Sequence, residues 1–288
     1  MDFLTDWIEE WLRGVLTDGI MGNLSGLFDN VNAQVGEIAS QVGQTPAAWN
    51  SGVFSMIQNL SEVVVLPIAG LVLTFVATWE LIQLLIEKNN LHDVDTWMIY
   101  KWIFKTAAAI LVLSNTWNIV MGVFDVAQSV INNAAGLIAG STDVTADMLT
   151  ALEAELALMG IGSLLGLWLQ SFLVKVVMYA MNIAVFVVIW GRMIEIYMRT
   201  SLAPIPFATL TNREYGHMGQ NYLRSLCAVG MQGLLIMVCV AIYAVLVQGI
   251  AISGDPIGAI WSCMGYTFLL VFTLFKTGSL ANSIFGAH

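Results

Sequence analysis

The chain has 288 residues, 58% of them hydrophobic and only 10% charged, against roughly 25% charged in ordinary soluble domains. That composition excludes a soluble globular class and leaves an all-α, polytopic integral membrane protein, built from runs of about 20 mostly apolar residues. The net charge of −10 argues against tight phosphate binding, and three cysteines with no CxxC pair argue against a disulfide framework or a zinc site.

Residues 1–62 read as an extracytoplasmic amphipathic helical region ahead of a transmembrane domain over 63–288. Phe3, Leu4, Trp7, Ile8, Trp11, Leu12, Val15 and Leu16 recur at helical spacing and line one face. A second amphipathic run follows with Leu24, Leu27, Phe28, Val31, Val35 and Ile38. The first resembles an interfacial helix with tryptophans at headgroup depth, although its acidity suits a protein docking surface equally well. The start MDFLTDWIEEWLRG is acidic, which does not predict a cleavable signal peptide.

Five spans follow, at about 63–86, 102–124, 156–198, 226–252 and 257–276, separated by an outer loop over 125–155 and a cytoplasmic loop over 199–225. Segment 126–140 is too short to span and reads as a re-entrant or surface helix. The run 156–198 contains no proline and no polar turn cluster. As one helix it is about 65 Å long at 1.5 Å per residue, with a hairpin near Lys175 as the competing reading. Gly162 and Gly166 form a GxxxG spacing that favours close helix packing. Pro204 and Pro206 predict the end of this helix and an extended segment, with helix resuming from Asn212.

Lysine and arginine set the orientation. The first 62 residues hold Arg13 as their one basic residue against eight acidic ones, and 125–155 holds no basic residue. Lys88, Lys101 and Lys105 cluster around the first inter-span loop, Arg199, Arg213 and Arg224 around the third, and Lys276 closes the last span. The alternation predicts an outer N-terminus, a cytoplasmic C-terminus and one long helix over 156–198.

Charges and amides inside spans are costly, which makes Glu80, Lys175 and Asn182 candidate intramembrane polar positions. Glu80 suits either a subunit contact or pairing with a neighbouring helix, with a pore role as a lesser reading, and Lys175 suits either a functional role or a snorkelling one. Gln170, Asn182, Gln232 and Gln248 suit bonds between helices. Arg192, Glu195 and Arg199 share a helical face as a charge ladder, with Glu195 placed to pair with both arginines. Glu214 and His217 could serve acid–base chemistry, but a solvated loop is the stronger reading. The sequence shows no HExxH, GxSxG or Walker motif, so no catalytic residue, cofactor or metal is expected.

The stretch APIPFATLTNREYGHMGQNYLRSLCAVGMQGLLIMVCVAIYAVL (203–246) and the tail FTLFKTGSLANSIFGAH (272–288) resemble the TrbL-like conjugal transfer proteins of Gram-positive mobile elements. The resemblance implies a polytopic channel subunit of a type IV secretion system in the bacterial cytoplasmic membrane, surrounded by membrane lipids. It implies a homo-oligomer working with other secretion-channel subunits and cytoplasmic ATPases on DNA with its relaxase, and it brings no catalytic residues. Transient single-stranded DNA or a partner would meet the inner cations Lys88, Lys101, Lys105, Arg199, Arg213 and Arg224. A small-solute permease is the alternative, and an intramembrane enzyme a third reading.

Overall fold

A computed structural model describes residues 2–86, 96–138, 153–251 and 256–287. Every regular element among them is a helix: α1 (Asp2–Val42), α2 (Pro46–Trp49), α3 (Ser51–Asn59), a π-helix (Leu60–Val65), α4 (Leu66–Ile86), α5 (Thr96–Ser114), α6 (Thr116–Ile138), α7 (Ile161–Leu202), α8 (Pro204–Thr209), α9 (Gly216–Ala251) and α10 (Pro256–Phe285). Among the described residues, five stretches are long and apolar enough to cross a membrane: Ser51–Ile86, Thr96–Ser114, Ile161–Leu202, Gly216–Gly249 and Trp261–Phe285. Large apolar side chains such as Leu71, Phe75, Phe104, Phe172, Ile183 and Phe272 are exposed on them. In a membrane-spanning chain such faces meet lipid, since the bilayer core is as apolar as they are.

Several boundaries differ from the sequence expectation. The two N-terminal amphipathic runs are one 41-residue helix, α1. The first span begins upstream of Val63, because α3 runs through a π-turn into α4. Pro67 accounts for that turn. It has no N–H for the carbonyl of Val63 and its ring crowds that carbonyl; the ladder slips to i→i−5, with Leu66 N–H bonding Ser61 O.

The second span stops at Ser114 and does not reach residue 124, for α-helix is interrupted at Asn115. Ser114 Oγ donates to the carbonyls of Ile110 and Leu111, Asn115 Nδ2 to Leu111, and Thr116 Oγ1 to Val112 and Leu113. Side-chain donors here compete with the backbone ladder. Segment 126–138 is the second half of α6 and no separate surface helix. The run expected at 156–198 contains one uninterrupted helix, Ile161–Leu202, and no hairpin at Lys175. The prolines at 204 and 206 open the short helix α8 where an extended segment was expected. Ala203 keeps helical φ and ψ of −50° and −40°, with Pro204 at the tolerated first turn.

The helices group into two compact units. The first takes Met1–Gly43, Asn132–Ile189 and Leu235–Thr277. In it α1 lies beside α7 in parallel, because contact partners climb together along both helices. Arg13 donates to Ala157 O and Met159 O at 3.1 and 2.7 Å, Asn23 to Ser171 Oγ at 3.0 Å, and Asn182 Nδ2 to Asn30 Oδ1 at 2.7 Å. Leu16, Ile20, Leu24 and Leu27 bury one face of α1, and Leu164, Leu167, Val174 and Met178 one face of α7. Gly19 leaves room for the Trp168 indole, where a Cβ would stand 2.6 Å from Nε1. Gly160, Gly162 and Gly166 have nothing within 4 Å of a built Cβ, so the GxxxG spacing does not mark a close helix contact here.

The second unit takes Gln44–Ile131, Trp190–Leu234 and Gly278–His288. Its frame is the antiparallel pair α4–α5, tied by Trp102 Nε1 to Ala77 O at 3.1 Å. Helix α8 packs on both. Ala69, Leu73, Ala109, Leu113, Met193, Ile196, Phe207, Ala208, Leu226 and Val229 close the core. Trp49 stands edge-on to Trp190, and Tyr197 Oη donates to Pro46 O at 2.6 Å.

Candidate functional site

The polar segment 203–215 is half core and half surface. Ala203, Phe207, Ala208, Thr209 and Asn212 are buried, while Arg213, Glu214 and Tyr215 are exposed. Apolar burial therefore holds the first half, and Glu214 and His217, read as a solvated loop, are both exposed. Asn212 turns the chain: its Oδ1 accepts from the N–H groups of Glu214 and Tyr215, at 2.8 and 2.9 Å, and its Nδ2 donates to Glu80 Oε2. Glu80 also forms an ion pair with Lys105 between α4 and α5. Glu214 accepts from Gln83 Nε2 at 2.6 Å and from Trp79 Nε1 at 3.2 Å. Glu80, Gln83, Leu84, Arg213 and Glu214 line a cleft of about 260 Å³.

Helix resumes at Gly216, four residues later than expected. Gly219 allows α9 to touch α8, since a Cβ there would come within 2.6 Å of Pro206 O. His217 Nδ1 lies 2.9 Å from the carbonyl oxygen of Glu214, so its contact is with the Glu214 backbone. The Glu214 carboxylate is held by Trp79 and Gln83.

The charge ladder is only half a ladder. Arg199 pairs with Glu195 through two bonds at 2.6 and 3.0 Å. Arg192 is buried and its guanidinium donates to the carbonyls of Val229 and Gly230 on α9, so it does not form the expected pair with Glu195. Gly233 makes the space, with a built Cβ 2.8 Å from Arg192 Nη2.

Of the six cations expected on the inner side, two are paired with carboxylates. Lys105 is neutralised by Glu80 and Arg199 by Glu195. Lys101 lies 5.6 Å above the Trp97 ring. Arg213 lines the cleft beside Glu214, and Arg224 approaches Gly286, the one described residue with a left-handed φ, +60°. Lys88 lies outside the described residues, as do His92 and much of the outer loop. Lys175 and Asn182 belong to the other unit. Lys175 Nζ lies 3.4 Å from Asn23 Oδ1, so both face α1. Of the four interhelical amides, Gln170 accepts from Trp261 and Gln232 abuts Gly278.

This all-helical, five-span arrangement can be set against known proteins. The family of TrbL/VirB6 plasmid conjugal transfer like proteins matches residues 31–204, more than half of the chain. The chain belongs to the TrbL/VirB6 family. It is a multi-pass membrane component of a conjugal transfer system. No curated protein and no solved structure matches it.

Within this TrbL/VirB6 chain the match takes in Glu80, Lys105, Lys175, Asn182, Arg192, Glu195 and Arg199. It stops at Pro204, so Asn212, Arg213, Glu214 and Arg224 lie beyond it. Sequence reasoning missed a second concavity. A cavity of about 290 Å³ is lined by Ser61, Glu62, Ser114, Thr116, Trp117 and Pro204, among others. Its signal was present in SEV before Pro67 and SNT inside an apolar run; Ser61 and Glu62 fell in the region assigned to 1–62, and SNT was absorbed into the second span.

Proposed function

We propose that this chain is a channel or scaffold subunit of a conjugative type IV secretion system in the cytoplasmic membrane of a Gram-positive host. It helps move DNA with its attached relaxase out of the donor cell. The N-terminus faces outward and the C-terminus the cytoplasm, several copies assemble with other channel subunits, and separate ATPases supply the energy. The subunit itself performs no covalent chemistry.

The TrbL/VirB6 match over residues 31–204 carries this reading. Five apolar helices with exposed lipid-type faces support it. The charge pattern supports the orientation, with Lys101 and Lys105 near one end of the α4–α5 pair and few basic residues before it. The pairing of Lys105 and Arg199 with carboxylates leaves a weakly basic inner surface, which suits a strand in transit better than one held tightly.

The test is formaldehyde cross-linking of donor cells during mating, followed by immunoprecipitation of the tagged subunit. Transferred-strand DNA is expected in the precipitate when the coupling ATPase is active and absent when it is not. A precipitate free of transferred DNA in active matings would limit the protein to a scaffold away from the path.

A further inference from the structure

We infer that the cavity at Ser61, Glu62, Ser114 and Thr116 is a binding site for a monovalent metal cation. Three interruptions of regular α-helix meet there. The π-helix Leu60–Val65 supplies Ser61 and Glu62, the break at Asn115 supplies Ser114 and Thr116, and Pro204 opens α8. A π-turn inside an α-helix is uncommon and recurs at functional sites. Interrupted helices within membrane proteins present oxygen atoms that regular helix keeps occupied.

The polarity of the lining selects a cation. Ser114 Oγ commits its proton to Ile110 O at 2.9 Å, and Thr116 Oγ1 to Leu113 O at 2.8 Å. A hydroxyl has one proton, so these two offer the cavity lone pairs. Pro204 has no N–H to donate. Glu62 adds a carboxylate whose Oε1 takes one bond from Gln58 at 3.0 Å. These groups favour a positively charged guest over an anion.

One carboxylate balances one charge. No group of three His, Cys, Asp or Glu occurs among the described residues, so the ligand sets usual for zinc or calcium are not offered here. Oxygen ligands suit hard ions, and a lone carboxylate neutralises sodium or potassium but would leave a divalent ion with uncompensated charge, which favours the monovalent ions. A cavity of about 290 Å³ exceeds a bare ion, so the ion keeps part of its water and binds with modest affinity.

The full chain in lipid nanodiscs is unfolded thermally in sodium chloride, potassium chloride and N-methyl-D-glucamine chloride at equal ionic strength. A ligand that binds only the folded state raises the midpoint. Sodium or potassium is expected to raise it by several degrees over N-methyl-D-glucamine, in a saturable way. Glu62→Gln, at an exposed side chain, and Ser61→Ala are expected to lose that rise while keeping the parent midpoint in N-methyl-D-glucamine. Glu10→Gln, exposed on α1, is expected to retain it. Sodium NMR line broadening by the unaltered protein gives a reading independent of any variant's folding. Equal midpoints in all three salts with no broadening would overturn the assignment, as would a rise undiminished in both Glu62→Gln and Ser61→Ala.

Discussion

Glu80 and Lys105 meet between α4 and α5 with side chains 13% and 33% exposed. A pair this sheltered from water is costly to break from one side, because the survivor is left without its counter-charge. Glu80→Gln and Lys105→Met are each expected to destabilise the protein by about 1–2 kcal/mol, discounted for the partial exposure of the lysine. The double variant should recover much of that loss, and thermal unfolding of all four proteins in one detergent gives the coupling. Glycines separate in the same way by what they touch. A Cβ at Gly219 would strike the carbonyl oxygen of Pro206 at 2.6 Å and the Cα of Leu210 at 3.0 Å, both backbone. Gly219→Ala is expected to cost about 1–3 kcal/mol as an overpacked contact. At Gly233 the close atoms are the ends of Ile131 and Arg192, which can move, so Gly233→Ala should cost less. Gly14 meets nothing within 4 Å in exposed helix, and Gly14→Ala should stabilise by roughly 0.5–1 kcal/mol.

At the scale of elements, the parallel seam between α1 and α7 is the feature that hydropathy alone does not reveal. Asn30 and Asn182 bond across it, as do Asn23 and Ser171. Cysteines at Asn30 and Asn182 are expected to link through a short bifunctional thiol reagent, and cysteines at Asn23 and Asn182 are not. Linking of the second pair alone would rule out the parallel register. The sequence made the five apolar helices readable because apolar runs of about 20 residues have few other uses. It also made α7 readable as one helix, because placing the arginines of 199–225 on the inner side requires an odd number of crossings before them. The π-turn was hidden because its cause, Pro67, sits inside the apolar run of the first span. The break at Asn115 was hidden for a related reason: Ser114, Asn115 and Thr116 are too few to lower the hydropathy of their neighbours. Arg192 was misassigned because helical spacing relates it to Glu195 on its own helix and says nothing of the carbonyls of Val229 and Gly230 on another. Glu80 was left open between a subunit contact and a neighbouring helix, and in the structure it pairs with Lys105 on α5.

For the whole molecule, the proposed orientation is read by labelling from either side of the membrane. A cysteine at Thr142 should react with an impermeant maleimide added outside intact cells. One at Lys101 should react only after the membrane is opened, and the reverse pattern would invert the orientation. The central claim concerns conjugation itself, and mating tests it most directly. An in-frame deletion in the donor is expected to lower transfer frequency by orders of magnitude, to recover with the gene supplied in trans, and to leave donor growth unchanged. Transfer that continues at the parental frequency without the protein would contradict a role as a subunit of the transfer channel.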